Sequence, residues 1–298
     1  MQALGVAVAD VHGNETQYEK LLKVVVAKGV TAVFMAGDLF PKTGGTWTPD
    51  NKVRTVAMQR EFIDNFFIPY LKRLGELTKV YAVFGNDDFI ENYRYLSTTR
   101  IGNVKFLNNQ VTRDIINGKT LTVAGYPYVG VTPFLHKDWE RRDAAGLSLN
   151  HKIYRVDGYI AGVNSMREVN LGDINNNPDT IQGDLRQLAK QSVPSETIYV
   201  FHEAPYDTPL DQIAIDNKYI KDGGLHVGSS AVREFIKEYR PKLTLHGHIH
   251  ETFAESGEFK WNYRKSLSAT PANDFSKDEL CYLIFNLFGE IRIERLLA

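Results

Sequence analysis

The sequence is poor in cysteine: Cys281 is the only one among 298 residues. A single cysteine excludes a framework of internal disulfide bonds, which forms mainly in secreted proteins. Cys281 lies in the apolar run Leu280–Phe285, so we expect a buried strand residue rather than a nucleophile. The sequence therefore indicates a protein of a reducing compartment, and we expect it in the cytoplasm.

Long hydrophobic runs and an excess of charge of one sign are also missing. No stretch of about 18 or more apolar residues occurs, so no membrane-spanning helix is predicted. The first residues lack the charged region and apolar core of a signal peptide. The formal net charge of -1 excludes the bulk basic character of many nucleic-acid-binding proteins. The sequence thus favours a small-molecule partner over a membrane or a nucleic acid, and it does not predict an oligomeric state.

Strands alternate with an amphipathic helix at the start of the chain. Apolar runs at 3–9 and 31–35 predict two buried strands. The helix predicted between them covers 15–28, with Asn14 as its N-cap and Gly29 beyond its end. Polar residues follow each strand. This order predicts an α/β fold with a parallel sheet and a site at the carboxyl ends of its strands.

The later part of the chain adds helices and antiparallel strands. A long helix is predicted over 50–74, with Pro69 kinking or breaking it. Asn117-Gly118 is a strong hairpin signal between strands at 110–116 and 119–124. Further strands are predicted at 79–84, 104–106, 197–201, 241–245, 259–268, 279–286 and 290–297, and further helices at 179–190 and 231–239. We predict a single domain over 1–298, with α+β character in part.

Residues 128–178 give the weakest periodic signal of the chain. They contain Trp139, the charged run Glu140–Asp143 and the polar run Asn175–Pro178. Two interpretations remain open. The segment is either an insertion that covers the site as a lid or a solvated excursion on the surface.

Carboxylate, amide and imidazole side chains follow the predicted strands. The stretch Leu245–His250 runs from a buried strand into three histidines, and imidazole is the commonest neutral metal ligand. The seven donors at strand ends are Asp10, His12, Asp38, Asn86, His202, His248 and His250. Such a mixed set without thiolates suits Mn, Fe, Zn or Ni. Because seven donors exceed one four-coordinate site, two ions sharing a carboxylate are expected.

The five blocks that carry these donors also carry a resemblance over residues 5–250. The blocks are Asp10-x-His12, Gly37-Asp38, Gly85-Asn86-x-Asp88, His202 and Gly247-His248-x-His250. In this order they resemble the calcineurin-like metallophosphoesterases. The stretch from Gly228 to His250 is also similar to a prokaryotic branch of predicted phosphoesterases. The resemblance implies a four-layer αββα sandwich with mixed sheets.

The resemblance also implies roles for individual residues. It assigns Asp10, His12 and His250 to a first divalent ion and Asn86, His202 and His248 to a second. Asp38 would bridge the two ions. The implied activity is hydrolysis of a phosphomonoester or phosphodiester by a metal-activated water, with Asn86, Asp87 and Asp88 as the catalytic block.

Asp87 departs from the family pattern, which has histidine at this position as the suggested proton donor. A carboxyl group beside two cations stays ionised at neutral pH and cannot donate a proton. Three outcomes are open: a preference for good leaving groups, a substitute such as His226 or a group from 128–178, or a site that only binds. A second departure is the stretch Ala269–Asn273, where the family has an Asn-Pro-Gly turn; no role is assigned to it.

The remaining histidines and the competing functions complete the sequence-based expectations. His246 is expected to be structural, and His136, His151 and His226 are expected at the surface rather than in the site. Besides the phosphoesterase, two hypotheses stay open: a non-catalytic metal-binding scaffold of the same fold, and a nuclease. The scaffold has no need for all seven donors, and the nuclease is disfavoured by the near-neutral charge.

Overall fold

The computed structural model describes residues 3–42, 49–144, 157–162, 165–214 and 225–298. The helices are α1 (Glu15–Lys28), α2 (Pro49–Phe62), α3 (Ile68–Leu77), α4 (Ile90–Ser97), α5 (Leu171–Asn176), α6 (Ile181–Lys190), α7 (Ser230–Tyr239) and α8 (Thr252–Ser256). The strands are β1 (Leu4–Val8), β2 (Ala32–Ala36), β3 (Lys79–Val83), β4 (Val104–Phe106), β5 (Gln110–Ile116), β6 (Lys119–Tyr126), β7 (Gly158–Gly162), β8 (Ser165–Val169), β9 (Thr197–Phe201), β10 (Leu243–Leu245), β11 (Lys260–Tyr263), β12 (Ser266–Ala269), β13 (Cys281–Asn286) and β14 (Ile293–Leu297).

Two mixed sheets of six strands form the centre of the molecule. The first sheet has the order β14-β13-β1-β2-β3-β4, and the second has the order β11-β12-β10-β9-β6-β5. In the first sheet β1, β2, β3 and β4 are parallel to one another, whereas β13 pairs antiparallel with β1 and with β14. In the second sheet β6, β9, β10 and β12 are parallel, and β5 and β11 are antiparallel at the edges.

The alternation of side chains along the strands builds three apolar layers. In β1, Val6 and Val8 face the helices α1 and α3, while Ala7 points toward the second sheet. Phe34 of β2 and Val200 of β9 meet in the layer between the sheets. A third layer packs α6 and α7 against the outer face of the second sheet. The layers run helix, sheet, sheet, helix, as the resemblance implies.

Local signals at helix ends and turns agree with the sequence. The Asn14 side chain accepts a hydrogen bond from the Gln17 backbone and caps α1, and Gly29 ends it in the left-handed conformation. Both Asn117 and Gly118 have positive φ between β5 and β6, as a two-residue hairpin turn requires. The long helix changes to a π-helical turn at Ile63–Phe67, just before Pro69.

Three local predictions differ from the structure. The tail strand predicted over 259–268 is a hairpin of β11 and β12. The helices α4 and α8 were not predicted, because they have only eight and five residues and no repeated apolar period. The strands β9 and β10 belong to a second sheet rather than to an extension of the first.

The part of 128–178 around Trp139 is packed rather than solvated. The strands β7 and β8 pair antiparallel, and Trp139 is fully buried against Phe84 and Tyr128. Lys137 is buried as well and donates to Glu140. The stretch around Lys137 and Trp139 is therefore not a surface excursion, whereas most of β8 is exposed, and the lid role stays a prediction.

Among the residues that the structure describes, helices with the length and apolar character needed to cross a membrane are absent.

Candidate metal centre

The seven predicted donors lie where the carboxyl ends of strands from both sheets meet. Loops after β1, β2 and β3 carry Asp10, His12, Asp38 and Asn86, and loops after β9 and β10 carry His202, His248 and His250. One sheet therefore contributes the carboxylates and the amide, and the other contributes most of the imidazoles.

One half of the centre consists of Asp10, His12, Asp38 and His250. Each offers one donor atom, and these atoms all lie within 4.8 Å of one another. The Nε2 atoms of His12 and His250 are 3.3 Å apart. Nε2 of His12 lies 3.6 Å from Oδ2 of Asp38, and Nε2 of His250 lies 3.6 Å from Oδ1 of Asp10.

The other half extends from Asp38 to His202, Asn86 and His248. Nε2 of His202 lies 3.4 Å from Oδ2 of Asp38 and 3.0 Å from Oδ1 of Asn86. The ring centres of His202 and His248 are 5.1 Å apart. The Asp38 carboxylate is therefore next to donors of both halves, as expected for a bridging ligand.

A hydrogen bond to the backbone fixes the orientation of the His202 ring. Its Nδ1 donates to the carbonyl oxygen of Ala36 at 2.8 Å, so Nε2 is directed toward Asp38 and Asn86. A backbone partner on the far nitrogen of this kind sets the tautomer of metal-binding histidines. The hydrogen bond thus leaves Nε2 of His202 facing the carboxylate and amide oxygens of the centre.

The backbone at the site adopts unusual conformations. Asp10, His12, Asp38 and His248 have φ values of 55°, 46°, 52° and 72°, in the left-handed region. Non-glycine residues avoid this region, and such residues concentrate at functional sites because the surroundings hold them there. The backbone N–H of His248 donates to Oδ1 of Asp10 at 2.9 Å, which ties the loop after β10 to the loop after β1.

Glycines leave the space that the donors occupy. A Cβ on Gly85 would lie 2.2 Å from Oδ1 of Asp38 and 2.5 Å from Nε2 of His202. A Cβ on Gly37 would lie 2.3 Å from Nδ1 of His202. Side chains other than hydrogen at these two positions would displace the donors.

The pKa values of the donors are shifted because two buried carboxylates contact imidazoles. Burial lowers the pKa of His202, but the charges of Asp38 and Asp10 outweigh it and raise the pKa to about 10. Burial raises the pKa of Asp38, yet the His202 charge and hydrogen bond hold it well below its usual range. Burial and the His202 charge lower the pKa of His248 to about 3. The carboxylate pair thus attracts positive charge into the centre.

The residues fit divalent cations on two grounds. Oδ2 of Asp10 is buried and has no hydrogen-bond partner, although an ionised carboxylate oxygen in such a place needs one. Carboxylate, amide and imidazole donors also suit the same group of metals that the sequence indicated. A cation beside Asp10 and Asp38 would replace the protons that the histidines otherwise supply.

Asp87 and Asp88 differ in their surroundings. The backbone N–H of Asp87 donates to Oδ1 of Asp38 at 2.8 Å, and its carboxylate lies 2.7 Å from Nζ of Lys42. Asp88 is fully buried and accepts hydrogen bonds from the backbone N–H groups of Leu39, Phe40 and Gly85. Burial raises its pKa to about 8. Asp88 therefore joins the loops after β2 and β3, and a catalytic role for it stays a prediction.

Sequence reasoning missed a layer of polar residues behind the ligands. Asn273 is fully buried and donates to the backbone oxygen of Asp10 and to Gln17. It belongs to the stretch Ala269–Asn273, to which no role was assigned. Its only signal is a polar residue shortly after a strand, which many loops share. Lys42 had no signal either, because it lies in a loop rich in Gly, Thr and Pro.

The other histidines fall into three groups. His246 is buried, with Nδ1 donating to the Glu203 oxygen at 2.7 Å, as expected for a structural histidine. The surface expectation is wrong for His136, which is buried beside Asp138 and Phe89. His226 lies 2.7 Å from Asp211 on a partly exposed loop. His151 lies outside the described residues.

A groove of about 750 Å³ begins at His250 and continues along the surface. Its walls include Phe253, Ala272, Arg295 and Leu297. The guanidinium of Arg295 stacks on the Phe253 ring and donates to the Pro271 oxygen. The groove has the size of a small-molecule site and opens next to the first half of the centre.

Comparisons with known proteins agree with this geometry. A family model described as calcineurin-like phosphoesterase matches residues 6–252. No curated protein sequence matches the chain. Among solved structures, TT1561 of Thermus thermophilus is similar at 15% identity, with 99% of each chain covered and a TM-score of 0.52. GAP50, the anchor in the inner membrane complex of Plasmodium, is similar at 13% identity over 99% of this chain and 84% of that one, with a TM-score of 0.50. At such identities the two structures show the fold alone.

Proposed function

The chain belongs to the calcineurin-like phosphoesterase family, and from this premise we propose that it is a dinuclear metal-dependent phosphoesterase. The proposed reaction is hydrolysis of a small phosphomonoester or phosphodiester. The proposed metals are two divalent ions from the group Mn, Fe, Zn and Ni.

The position of Asp38 supports this proposal most directly. Its carboxylate lies 3.6 Å from Nε2 of His12 in one half of the centre and 3.4 Å from Nε2 of His202 in the other. A carboxylate between two sets of donors is the arrangement that two ions about 3.5–4 Å apart require. Asp10, His12 and His250 are the proposed ligands of the first ion, and Asn86, His202 and His248 those of the second.

The ions and the side chains of the centre have different proposed roles. The two ions would supply Lewis-acid chemistry, lowering the pKa of a bound water and neutralising charge on the phosphoryl oxygens. Asp38 fixes the distance between the two halves, and Ala36 and Asp10 orient His202 and His248 through backbone hydrogen bonds. The Asn86 amide, whose Oδ1 lies beside His202, has an NH₂ group that could donate to a phosphoryl oxygen.

The surroundings support a small ester as the substrate. The groove beside His250 has about 750 Å³, enough for the organic part of a small molecule. The formal net charge of -1 gives no support for the long phosphate backbone of a nucleic acid. A nuclease is therefore not the function that these features favour.

A panel of esters tests the proposal. Purified protein loaded with Mn²⁺, Fe²⁺, Zn²⁺ or Ni²⁺ is assayed on nitrophenyl and alkyl phosphate mono- and diesters. We expect metal-dependent hydrolysis of at least one ester, and loss of at least about a thousandfold in kcat/KM for Asp38→Ala, because the shared carboxylate positions both ions.

A non-catalytic metal-binding scaffold is the second candidate, since Asp87 replaces the histidine of the family motif. It predicts that the protein binds two ions yet hydrolyses none of the esters with any of the four metals. That result would reject the enzyme in favour of the scaffold. Equal activity of the wild type and Asp38→Ala would also contradict the proposed centre.

A further inference from the structure

Asp87 keeps the place of the motif residue but has a different environment from that of a proton donor. Its backbone N–H donates to Oδ1 of Asp38 at 2.8 Å, which holds the residue against the centre. Its carboxylate oxygen Oδ2 lies 3.9 Å from Nδ1 of His12 and 2.7 Å from Nζ of Lys42. One oxygen atom therefore links a proposed metal ligand to a lysine.

The Lys42 ammonium group is held at the mouth of the centre by three neighbours. Besides Asp87, the rings of Phe134 and Phe275 lie with their centres 5.9 Å from Nζ. Phe275 in turn packs against His12, with ring centres 4.3 Å apart. The Lys42 side chain is 44% exposed, so a ligand can approach the ammonium from solvent.

The charge of Asp87 favours such a cation beside it. Asp10, Asp38 and Asp87 bring three carboxyl groups to a site whose proposed substrate carries negative charge. Two divalent ions would more than offset Asp10 and Asp38, but the Asp87 carboxylate would still repel a phosphoryl oxygen that lies next to it. Lys42 offsets this third carboxylate, because its Nζ lies 2.7 Å from Oδ2 of Asp87.

We propose that Lys42 binds a phosphoryl oxygen of the substrate and that Asp87 is the positioning residue that holds its ammonium group. This inference rests on the proposed phosphoesterase function. Lys42 donates N–H hydrogen bonds and transfers no proton. Lys42 and Asp87 thus provide a charged contact to the phosphoryl group. Asp87 stands at the position where the family motif has histidine.

Inorganic phosphate is the probe that tests this inference without turnover. Its dissociation constant is measured by calorimetry on the Mn²⁺-loaded protein, for the wild type, Lys42→Met and Lys42→Arg. We expect Lys42→Met to raise it about tenfold, the effect of one charged hydrogen bond, and Lys42→Arg to keep it within about threefold. Both variants should retain two ions, since the Lys42 ammonium contacts Asp87, which is not one of the proposed metal ligands.

Asp87→Asn tests the positioning role by separating binding from turnover. The change removes a negative charge from the mouth, so phosphate should bind at least as tightly as in the wild type. The loosened ammonium should lower kcat about tenfold on an ester that the wild type hydrolyses. A merely structural defect would lower both the phosphate affinity and kcat.

The pair Lys105 and Asp114 is a matched control at the edge of the sheets. Nζ of Lys105 lies 2.6 Å from Oδ2 of Asp114, and the two side chains are 38% and 15% exposed, against 44% and 13% for Lys42 and Asp87. Lys105→Met and Asp114→Asn should leave phosphate affinity and kcat unchanged.

Wild-type phosphate affinity in Lys42→Met would overturn the inference, and so would equal weakening in Lys42→Met and Lys42→Arg. An unchanged kcat in Asp87→Asn would overturn the positioning role. Should the wild type hydrolyse no ester, the proposed function fails, while the phosphate measurement still decides whether Lys42 binds the anion.

Discussion

The donors of the centre have room for their observed positions because residue 85 is glycine. A Cβ there would approach Oδ1 of Asp38 to 2.2 Å and Nε2 of His202 to 2.5 Å. Neither atom can retreat easily, because both residues are buried and tied to backbone groups. The absence of a side chain at this residue is therefore part of the proposed second metal site.

We expect Gly85→Ala to cost at least one ion per chain and about a hundredfold in kcat/KM, the usual effect of a ligand displacement of about 1 Å. Metal content and hydrolysis rates of the purified variant check this. Gly102→Ala is the control. Gly102 has φ 46° and open space around its Cβ position, so that variant should lose only about 1–2 kcal/mol of stability and keep both ions. Two retained ions in Gly85→Ala would show that the displacement does not occur.

The sequence predicted which donor side chains lie together better than it predicted their supports. Asp10, His12 and Asp38 each follow a strand, and their donor atoms meet in the structure; their role as metal ligands stays a prediction. Asn273 reaches the centre only because a distant loop folds onto it, and Lys42 meets Asp87 only because the loops after β2 and β3 lie together. Such contacts depend on the tertiary fold, which local patterns do not contain.

At the scale of the elements, the segment that leads to β7 and β8 contains a buried histidine beside a carboxylate. His136 precedes the buried Trp139, and its Nε2 lies 2.9 Å from Oδ2 of Asp138. Asp138 also accepts hydrogen bonds from the backbone N–H groups of Ile90 in α4 and Ala161 in β7. Asp138 therefore ties the segment to α4 and gives His136 a charged neighbour.

This pair predicts a pH-dependent part of the folding stability. Burial lowers the pKa of His136, but the charge of Asp138, assisted by Asp87 and Glu140, outweighs it and raises the pKa above the usual 6.5. A raised folded pKa gives stability that is complete below about pH 6.5 and is lost as the pH rises through the folded value. The slope in that window is at most about 1.4 kcal/mol per pH unit.

Urea unfolding of the wild type and His136→Gln between pH 6 and pH 9 measures this part. The wild type should exceed the variant by more at pH 6 than at pH 9, because the protonated pair exists only at the lower pH. Asp138→Asn, which keeps one hydrogen-bonding oxygen, should also flatten the profile. A difference between wild type and His136→Gln that does not change with pH would show that the pair does not titrate in this range.

Element prediction succeeded where periodic apolar patterns were long or turns had specific residues. The helix α1 and the hairpin around Asn117 and Gly118 are confirmed for this reason. The short helices α4 and α8 were missed, since one or two turns give no period to detect. The described part of 128–178 could not be predicted because its packing rests on single buried residues such as Trp139.

At the scale of the whole molecule, two sheets rather than one bring the donors together. The strand-by-strand pattern predicted one parallel sheet, and it gave the right rim because each donor follows a carboxyl end. The division into sheets was not predictable from that pattern, because pairing of β6, β9 and β10 joins residues far apart in the chain. The family resemblance supplied the four-layer arrangement instead.

The loops from the two sheets are linked across this rim by direct contacts. The backbone N–H of His248 donates to Asp10, and the His202 ring donates to Ala36, so these residues of the centre connect the second sheet to the first. We therefore expect the centre to depend on both sheets.

Anomalous diffraction from crystals of the Mn²⁺-loaded protein tests the central claim most directly. The account predicts two peaks per chain that share Asp38, one beside Asp10, His12 and His250 and the other beside Asn86, His202 and His248. A single peak, or two peaks without Asp38 between them, would contradict it.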